Sequence, residues 1–272
     1  MSDKPNMLAI PKPWDLVAGG YAETTMQMLA QYAEEAISIA KLQAGEKVLD
    51  VACGPGTVSL MVAGRVDAVH AIDFSASMLS VLDQKIGETG VENIRTHHGD
   101  GQNLPYENDM FDAAFSMFGL MFFPDRGKGF SEICRTLKSG GRISVSSWAP
   151  VDQSPAMQAM FGALKVINPN MPEPETAVES LENPEQFEKE LCAAGFRDVS
   201  VQRITKCFPI ESVQGFWADM VKGSVPITMM KSAMDEGEWL EREVLALDYL
   251  KELLPNTPTS LASDAWLGTG IK

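Results

Sequence analysis

The stretch KVLDVACGPGTVSL, from Lys47 to Leu60, limits the fold of this chain more than any other. Four apolar residues (Val48, Leu49, Val51, Ala52) surround one acid, Asp50, and run straight into Gly54-Pro55-Gly56, after which a helix-like segment starts at Thr57. A short apolar run of this kind is what a parallel strand needs when helices cover both faces of its sheet. Glycine at 54 and at 56 lets the backbone pass close to a ligand that a Cβ would push away. Strand, glycine turn and helix start together describe the α/β arrangement in which a ligand lies across the carboxyl ends of the strands. A lone Gly-x-Gly also fits a tight turn with no ligand, so the following segments decide.

Val66 to Asp73 (VDAVHAID) is a second apolar run, and it also ends in an acid. Asp73 lies 19 residues beyond Gly54 (73 − 54), close to the roughly 20 at which a strand-end carboxylate accepts ribose hydroxyls. Ser75 then offers a helix cap, and Phe74 or Met78 a wall for a flat ring. A third strand, Ile94 to His98, leads into Gly99-Asp100-Gly101-Gln102. There Asp100 can accept from an exocyclic amine, and the backbone N–H of Gly101 or Gln102 can reach a ring nitrogen. His97 and His98 read as strand-edge residues and His70 as structural, since no partner acid is identifiable for any of them.

The fourth strand, Phe111 to Ser116, ends at the same sheet edge, so Ser116 to Leu120 can face the ligand. Its continuation (Met117, Phe118, Leu120, Met121, Phe122, Phe123) is too apolar to leave exposed, and either closes a pocket or packs under the next helix. That helix is expected over Lys128 to Lys138, ended by Gly140-Gly141, with a fifth strand at Arg142 to Trp148. Four βα repeats and a fifth strand make a doubly wound sheet.

Outside this region the reading is coarser. Met1 to Pro13 is expected to be a surface arm, and Glu23 to Ala40 a helix capped by Thr24 or Thr25. Trp14 and Tyr21 either close over the ligand or anchor the arm. Beyond Pro150 come a helical insertion with a proline-rich turn up to Pro174, a helix from Asn183-Pro184 to Gly195, and a strand at Asp198 to Phe208. Helices over Glu211 to Leu254 and a last strand at Leu261 to Ile271 follow. With 272 residues the chain fits one elaborated α/β body. We divide it into an N-terminal arm and lid helix (1–42), a nucleoside-binding core (43–149), and the rest of the sheet with helical cap insertions (150–272).

A net charge of −15 would repel a phosphate backbone, so nucleic acid is not an expected partner. Cys53, Cys134, Cys192 and Cys207 are scattered, which indicates neither a disulfide framework nor a metal site. No stretch approaches membrane-spanning length, and a cytoplasmic location is expected.

VLDVACGPG (48–56), AIDFSASML (71–79), GDGQNLPY (99–106), FDAAFSMFGLMFFPD (111–125), LKSGGRISVSSW (137–148) and LCAAGFRDVSV (191–201) together resemble the class I S-adenosylmethionine-dependent methyltransferases. The likeness is to the branch around the ubiquinone and menaquinone C-methyltransferases. Departures are small: Ser139 stands where a proline is common, and Pro55 where a small or hydroxylated residue is. The resemblance implies a seven-stranded Rossmann-like sheet whose last strand runs antiparallel between the fifth and sixth. It also implies S-adenosyl-L-methionine (SAM) as cofactor and S-adenosyl-L-homocysteine (SAH) as product, without a metal. It assigns Asp50 to the methionine amino end, Asp73 to the ribose, Asp100 to Gln102 to adenine, and Ser116 to Phe118 to the surroundings of the methyl group. The expected cofactor site is Tyr21, Asp50, Ala52, Gly54, Gly56, Asp73, Phe74, Met78, Asp100, Gly101, Gln102, Ser116, Met117 and Phe118.

A nicotinamide dehydrogenase fits less well. Ser59 stands at the third glycine position of a dinucleotide fingerprint, and a carboxylate at 50 repels a pyrophosphate but suits an ammonium or sulfonium. The expected activity is in-line methyl transfer to a small, apolar or aromatic metabolite. The alternative is a SAM- or SAH-binding sensor or non-catalytic subunit. No catalytic base is identifiable, because alignment and a dry cavity are the main requirements for displacement from a sulfonium.

Overall fold

A computed structural model describes residues 6–171 and 178–272. The sheet consists of β1 (Lys47–Val51), β2 (Ala68–Asp73), β3 (Ile94–His98), β4 (Phe111–Met117), β5 (Leu137–Trp148), β6 (Arg197–Ile210) and β7 (Thr259–Ile271). Its order is β3-β2-β1-β4-β5-β7-β6. β1 runs parallel between β2 and β4, with Leu49 level with His70 on one side and Ala114 on the other. The strand order reverses between β1 and β4, which opens a crevice at their carboxyl ends. β7 is antiparallel to both neighbours, with Val145 opposite Gly268 and Arg203 opposite Trp266.

The helices are α1 (Pro11–Glu23), α2 (Thr25–Ala40), α3 (Thr57–Val62), α4 (Ala76–Thr89), α5 (Arg126–Thr136), α6 (Pro155–Ile167), α7 (Pro184–Ala193), α8 (Val213–Gly223), α9 (Val225–Ser232) and α10 (Glu236–Leu253). One face of the sheet buries Val48, Val69 and Phe115 against Tyr32 and Ala36 of α2 and Val58 of α3. The other buries Leu49, Phe111 and Ile143 against Phe130 and Ile133 of α5 and Phe187 and Leu191 of α7. Each such large side chain contributes roughly 1.5–3 kcal/mol. A separate core joins α6, α8, α9 and α10, where the rings of Trp217 and Trp239 stack at 6.1 Å. A small fourth core (Val17, Ala18, Met78, Val225) fastens α1 to α4 and α9.

Several element boundaries differ from the sequence expectation by a few residues, among them α2, which starts at Thr25 and has no side-chain cap from Thr24, and two of the differences have an evident physical reason. The arm is not irregular up to Pro13. After a short 3-10 turn at Met7–Ala9, α1 begins at Pro11, where the fixed φ of proline suits a first helical position, so Trp14 and Tyr21 are helical. Helix α5 ends at Thr136 rather than at the glycine pair, because Leu137 already pairs with Phe111. Gly140, at φ 79°, donates its N–H to the Lys272 carbonyl within the bulged start of β5. The Asn183 cap of α7 accepts from the N–H groups of Glu185 and Gln186 as expected, and Gly195 follows at φ 101°. The proline-rich turn falls partly on 172–177, and the start of the arm on 1–5, both outside the described residues. Among the described residues, no helix is long and apolar enough to cross a membrane.

Candidate active site

The carboxyl ends of β1, β2 and β4, the turn after β3, and α1 enclose a cleft of about 800 Å³ including its open mouth. Its floor is the glycine turn. Ala52 at φ 54°, Gly54 at φ 54° and Gly56 at φ 88° carry the chain from β1 into α3 through left-handed backbone. That conformation is inexpensive for glycine and strained for alanine. A Cβ on Gly54 would meet nothing within 4 Å, whereas one on Gly56 would come within 2.2 Å of the Leu82 side chain. The two glycines therefore serve different ends. Gly54 borders the open cleft, and Gly56 lets α4 pack against the turn.

Asp73, 6 % exposed at the end of β2, is held by two backbone donors: Gly54 N–H to Oδ2 at 2.8 Å and Ser75 N–H to Oδ1 at 2.8 Å. Burial pushes its pKa up to about 6 despite those bonds, with the nearby Asp15 carboxylate adding to the rise. Ser75 caps α4 as expected, accepting from the Met78 N–H at 3.1 Å. His98 is not part of the cleft lining. Its Nε2 lies 2.9 Å from the Phe74 carbonyl, bracing the chain beside the acid.

On the far wall, Asp100 Oδ1 accepts from the Gln102 backbone N–H at 2.8 Å, and the Gln102 side-chain carbonyl accepts from the Asp125 N–H at 2.8 Å. The Gln102 N–H is thus committed within the turn. Of the two backbone donors expected to read a ring nitrogen, only the Gly101 N–H lacks a protein acceptor among the described residues. Phe118, at φ 57°, is anchored by its N–H to Ser146 Oγ at 3.0 Å, and its ring lies 4.1 Å from that of Trp148. The roof comes from the N-terminal segment. Trp14 sits 5.4 Å from Phe122 and 6.3 Å from Tyr21, and its Nε1–H donates to the Leu8 carbonyl at 2.9 Å. Burial, then the charge of Asp73, push the Tyr21 hydroxyl well above its ordinary pKa, so it remains a proton-bearing donor.

Eleven of the fourteen expected residues line the cleft: Tyr21, Ala52, Gly54, Asp73, Phe74, Met78, Asp100, Gly101, Gln102, Met117 and Phe118. Asp50, Gly56 and Ser116 do not. The Asp50 carboxylate is 2 % exposed behind the turn, where its Oδ2 accepts from Ser59 Oγ at 2.6 Å and Ser59 N–H at 3.1 Å. Burial lifts its pKa to about 7 against those two bonds. It fastens the start of α3 to β1 and does not border the cleft. The electrostatic case against a dinucleotide therefore does not rest on Asp50. Ser116 is fully buried next to Gly119, and its Oγ has no hydrogen-bond partner among the described residues.

Gly119, inside the stretch expected to face the ligand, and Phe122 and Phe123, among the apolar residues expected either to close a pocket or to pack under the next helix, also line the cleft, whereas sequence reasoning missed Leu8, Ala9, Ile72, Gly99 and Pro124. At Gly119 a Cβ would meet that of Ala52 at 2.4 Å, so glycine is what lets this wall close on the turn. Leu8 and Ala9 carried no signal. Among the described residues, the lining holds two carboxylates and no Lys, Arg or His, and no group of three or more His, Cys, Asp and Glu is placed to hold a metal ion.

This sheet order, with its antiparallel β7, and the glycine turn tied to a strand-end acid define the class I methyltransferase fold. Residues 48–141 match the family described as Methyltransferase domain. The chain is 34 % identical over 173 residues to a demethylmenaquinone methyltransferase of Clavibacter sepedonicus, a match spanning 60 % of this chain and 70 % of that protein. It is 32 % identical over 148 residues to the Bacillus subtilis demethylmenaquinone methyltransferase, where the match spans 53 % of this chain and 64 % of the relative. The solved structure of the YcgJ protein of Bacillus subtilis shares the fold, with a TM-score of 0.57 at 21 % identity over 88 % of this chain and 97 % of that one. The chain belongs to the class I SAM-dependent methyltransferases, in a branch similar to the quinone methyltransferases.

Proposed function

We propose that this protein transfers the methyl group of SAM to a small, neutral or cationic acceptor of apolar or aromatic character. The observation that carries the reading is the charge of the cleft: two carboxylates, Asp73 and Asp100, beside aromatic side chains and no basic group among the described residues. Such a surface attracts a sulfonium and repels an acceptor bearing a carboxylate or phosphate.

The residues present fit the donor. Asp73 has acceptor capacity left beyond its two backbone bonds, which suits ribose hydroxyls. Phe74 and Met78 flank the place for a flat base, with Asp100 and the Gly101 N–H on its polar edge. Ala52, Gly54, Met117 and Phe118 border the methionine end, where the space beside Gly54 admits an atom that a Cβ would displace. When bound, the sulfonium supplies an electrophilic methyl group and a neutral leaving group. The protein's part is to align the acceptor behind that methyl and to exclude water. The roof of Trp14, Tyr21 and Phe122 excludes water and offers aromatic faces to an apolar or cationic acceptor. Tyr21 can donate a hydrogen bond to an acceptor heteroatom, but with its pKa so raised it does not serve as a base near neutral pH. In this reading residues 1–42 act as lid and the α6, α8, α9 and α10 core as cap over the acceptor.

The test is a metabolite panel incubated with SAM bearing a labelled methyl group, scored for the mass gain of one methyl with equimolar SAH. Turnover confined to neutral or cationic apolar compounds supports the reading. Binding of SAM and SAH with no acceptor methylated would favour a sensor or non-catalytic subunit, and turnover of anionic acceptors alone would remove the charge argument.

A further inference from the structure

We propose that Asp15 is a positioning residue that latches the lid helix α1 shut over the donor site and so sets the rate at which the nucleoside product leaves. The inference rests on the SAM-binding reading above.

The two halves of α1 are held in different ways. The C-terminal half is built into the cap. Gly20 packs so tightly on α8 that a Cβ there would lie 2.2 Å from the Lys222 carbonyl oxygen, Lys222 pairs with Glu23 at 3.2 Å, and just beyond, Thr25 Oγ donates to the Gly223 carbonyl at 3.2 Å. The N-terminal half, which carries Trp14 over the cleft, turns Ile10 (42 % exposed) and Leu16 (52 % exposed) to solvent and packs on α4 only toward its end, where Val17 and Ala18 meet Met78. Its side-chain hydrogen bond to the sheet body comes from Asp15. Oδ1 accepts from Ser75 Oγ at 2.6 Å and from the Ser77 N–H at 3.2 Å, and these bonds hold the Asp15 carboxyl below its ordinary pKa against the opposing effect of partial burial.

Ser75 is where the latch meets the donor site. It is fully buried, its N–H donates to Asp73 Oδ1 at 2.8 Å, and Asp73 Oδ2 takes the Gly54 N–H. One hydrogen-bonded chain therefore runs from the glycine turn through the ribose acid and Ser75 to the lid. Ser75 caps the Met78 N–H and Asp15 takes a second free amide of the same first turn, that of Ser77, so the capping of α4 is completed from α1 and ties the two helices together. Lifting this half of α1 would uncover a ligand beneath Trp14, and the place for the bend is Gly19-Gly20, between the free and the packed halves of the helix. Since the far half of α1 is packed on α8, closing the latch also fixes the cap that would face the acceptor.

The experiment measures SAH dissociation by stopped-flow displacement, and amide hydrogen exchange of residues 11–18, in wild type, Asp15→Ala and Asp15→Asn. The Ala variant should release SAH about tenfold faster, the size expected for losing two hydrogen bonds of ordinary net strength, with a smaller change in the association rate. Its α1 amides should exchange faster while those of α2 do not. The Asn variant should restore slow release, since its amide oxygen can accept the same two bonds without the charge. An Asn variant as fast as Ala would show that charge acts rather than the latch, and would overturn the proposal. Unchanged release and unchanged exchange in Asp15→Ala would do so as well. If the wild type fails to bind SAH, the functional reading falls, and the exchange measurement still decides whether Asp15 holds the helix.

Discussion

The Asp73 carboxylate and the Gly54 N–H meet at 2.8 Å, so the acid at the end of β2 and the turn at the end of β1 form one rigid unit at the switch point of the sheet. Asp73 therefore does two jobs: it shapes the turn, and in the proposed function it grips the ribose. Asp73→Ala removes both and should weaken SAH binding about tenfold to a hundredfold, the range for lost hydrogen bonds to a charged group. Asp73→Asn keeps one acceptor oxygen and should fall between. Isothermal titration calorimetry reads both, and wild-type affinity in Asp73→Ala would remove the ribose assignment.

The two glycines of the turn separate binding from folding. Both have positive φ, so alanine at either costs backbone strain of roughly 1–2 kcal/mol. At Gly54 the added methyl meets no protein atom, while at Gly56 it collides with Leu82. Gly54→Ala should thus unfold only slightly earlier than wild type on thermal denaturation yet lose SAH affinity at least tenfold. Gly56→Ala should lose several degrees more in melting temperature, because overpacking adds about 1–3 kcal/mol. The opposite ranking would refute the division of labour between them.

These contrasts also show what was legible in the sequence. The strand-turn-helix at Lys47 to Leu60, the acid 19 residues after Gly54 and the polar turn at Asp100 were readable because local spacing dictates them. What pattern could not supply was direction. Asp50 looks like a site residue by position, but two places before the turn its side chain is buried in the body, where Ser59 satisfies it. Nor could the sequence show that the segment around Leu8 folds back over the cleft. That depends on tertiary packing of α1 against α4 and α9, through small contacts such as Val17 and Ala18 on Met78. The N-terminal edge of α1 went unread because Ile10 offers no side-chain cap.

Asp50 should leave a signature in the pH dependence of stability. Its native pKa is raised to about 7 by burial, whereas in the unfolded chain it lies near the ordinary value of about 4. Between those values the native state holds a proton that the unfolded state has released, so stability falls as pH rises. The favourable contribution is fully present below about pH 4 and lost through pH 7. Asp73, at about 6, acts in the same direction and is common to both proteins compared. Asp50→Asn, which can still accept from Ser59, should therefore melt above wild type at pH 8 and converge with it toward pH 5. Differential scanning calorimetry across that range checks the prediction, and a difference independent of pH would show that Asp50 is not titrating there.

Trp14 was open to two readings, a roof over the ligand or an anchor for the N-terminal segment, and its geometry supports both with separable atoms. The indole N–H ties Leu8, while the ring faces Phe122 and Tyr21 across the cleft. Trp14→Phe keeps a ring and loses the tether, so SAH affinity should stay within about threefold while the segment before Pro11 becomes faster to proteolyse. Trp14→Ala also loses two aromatic contacts, each contributing roughly 0.5–1.5 kcal/mol beyond area, and should weaken SAH binding about tenfold. Calorimetry with limited proteolysis distinguishes the outcomes. Equal losses of affinity in the two variants would place the effect in the Leu8 tether, and a loss in neither would reduce Trp14 to an anchor.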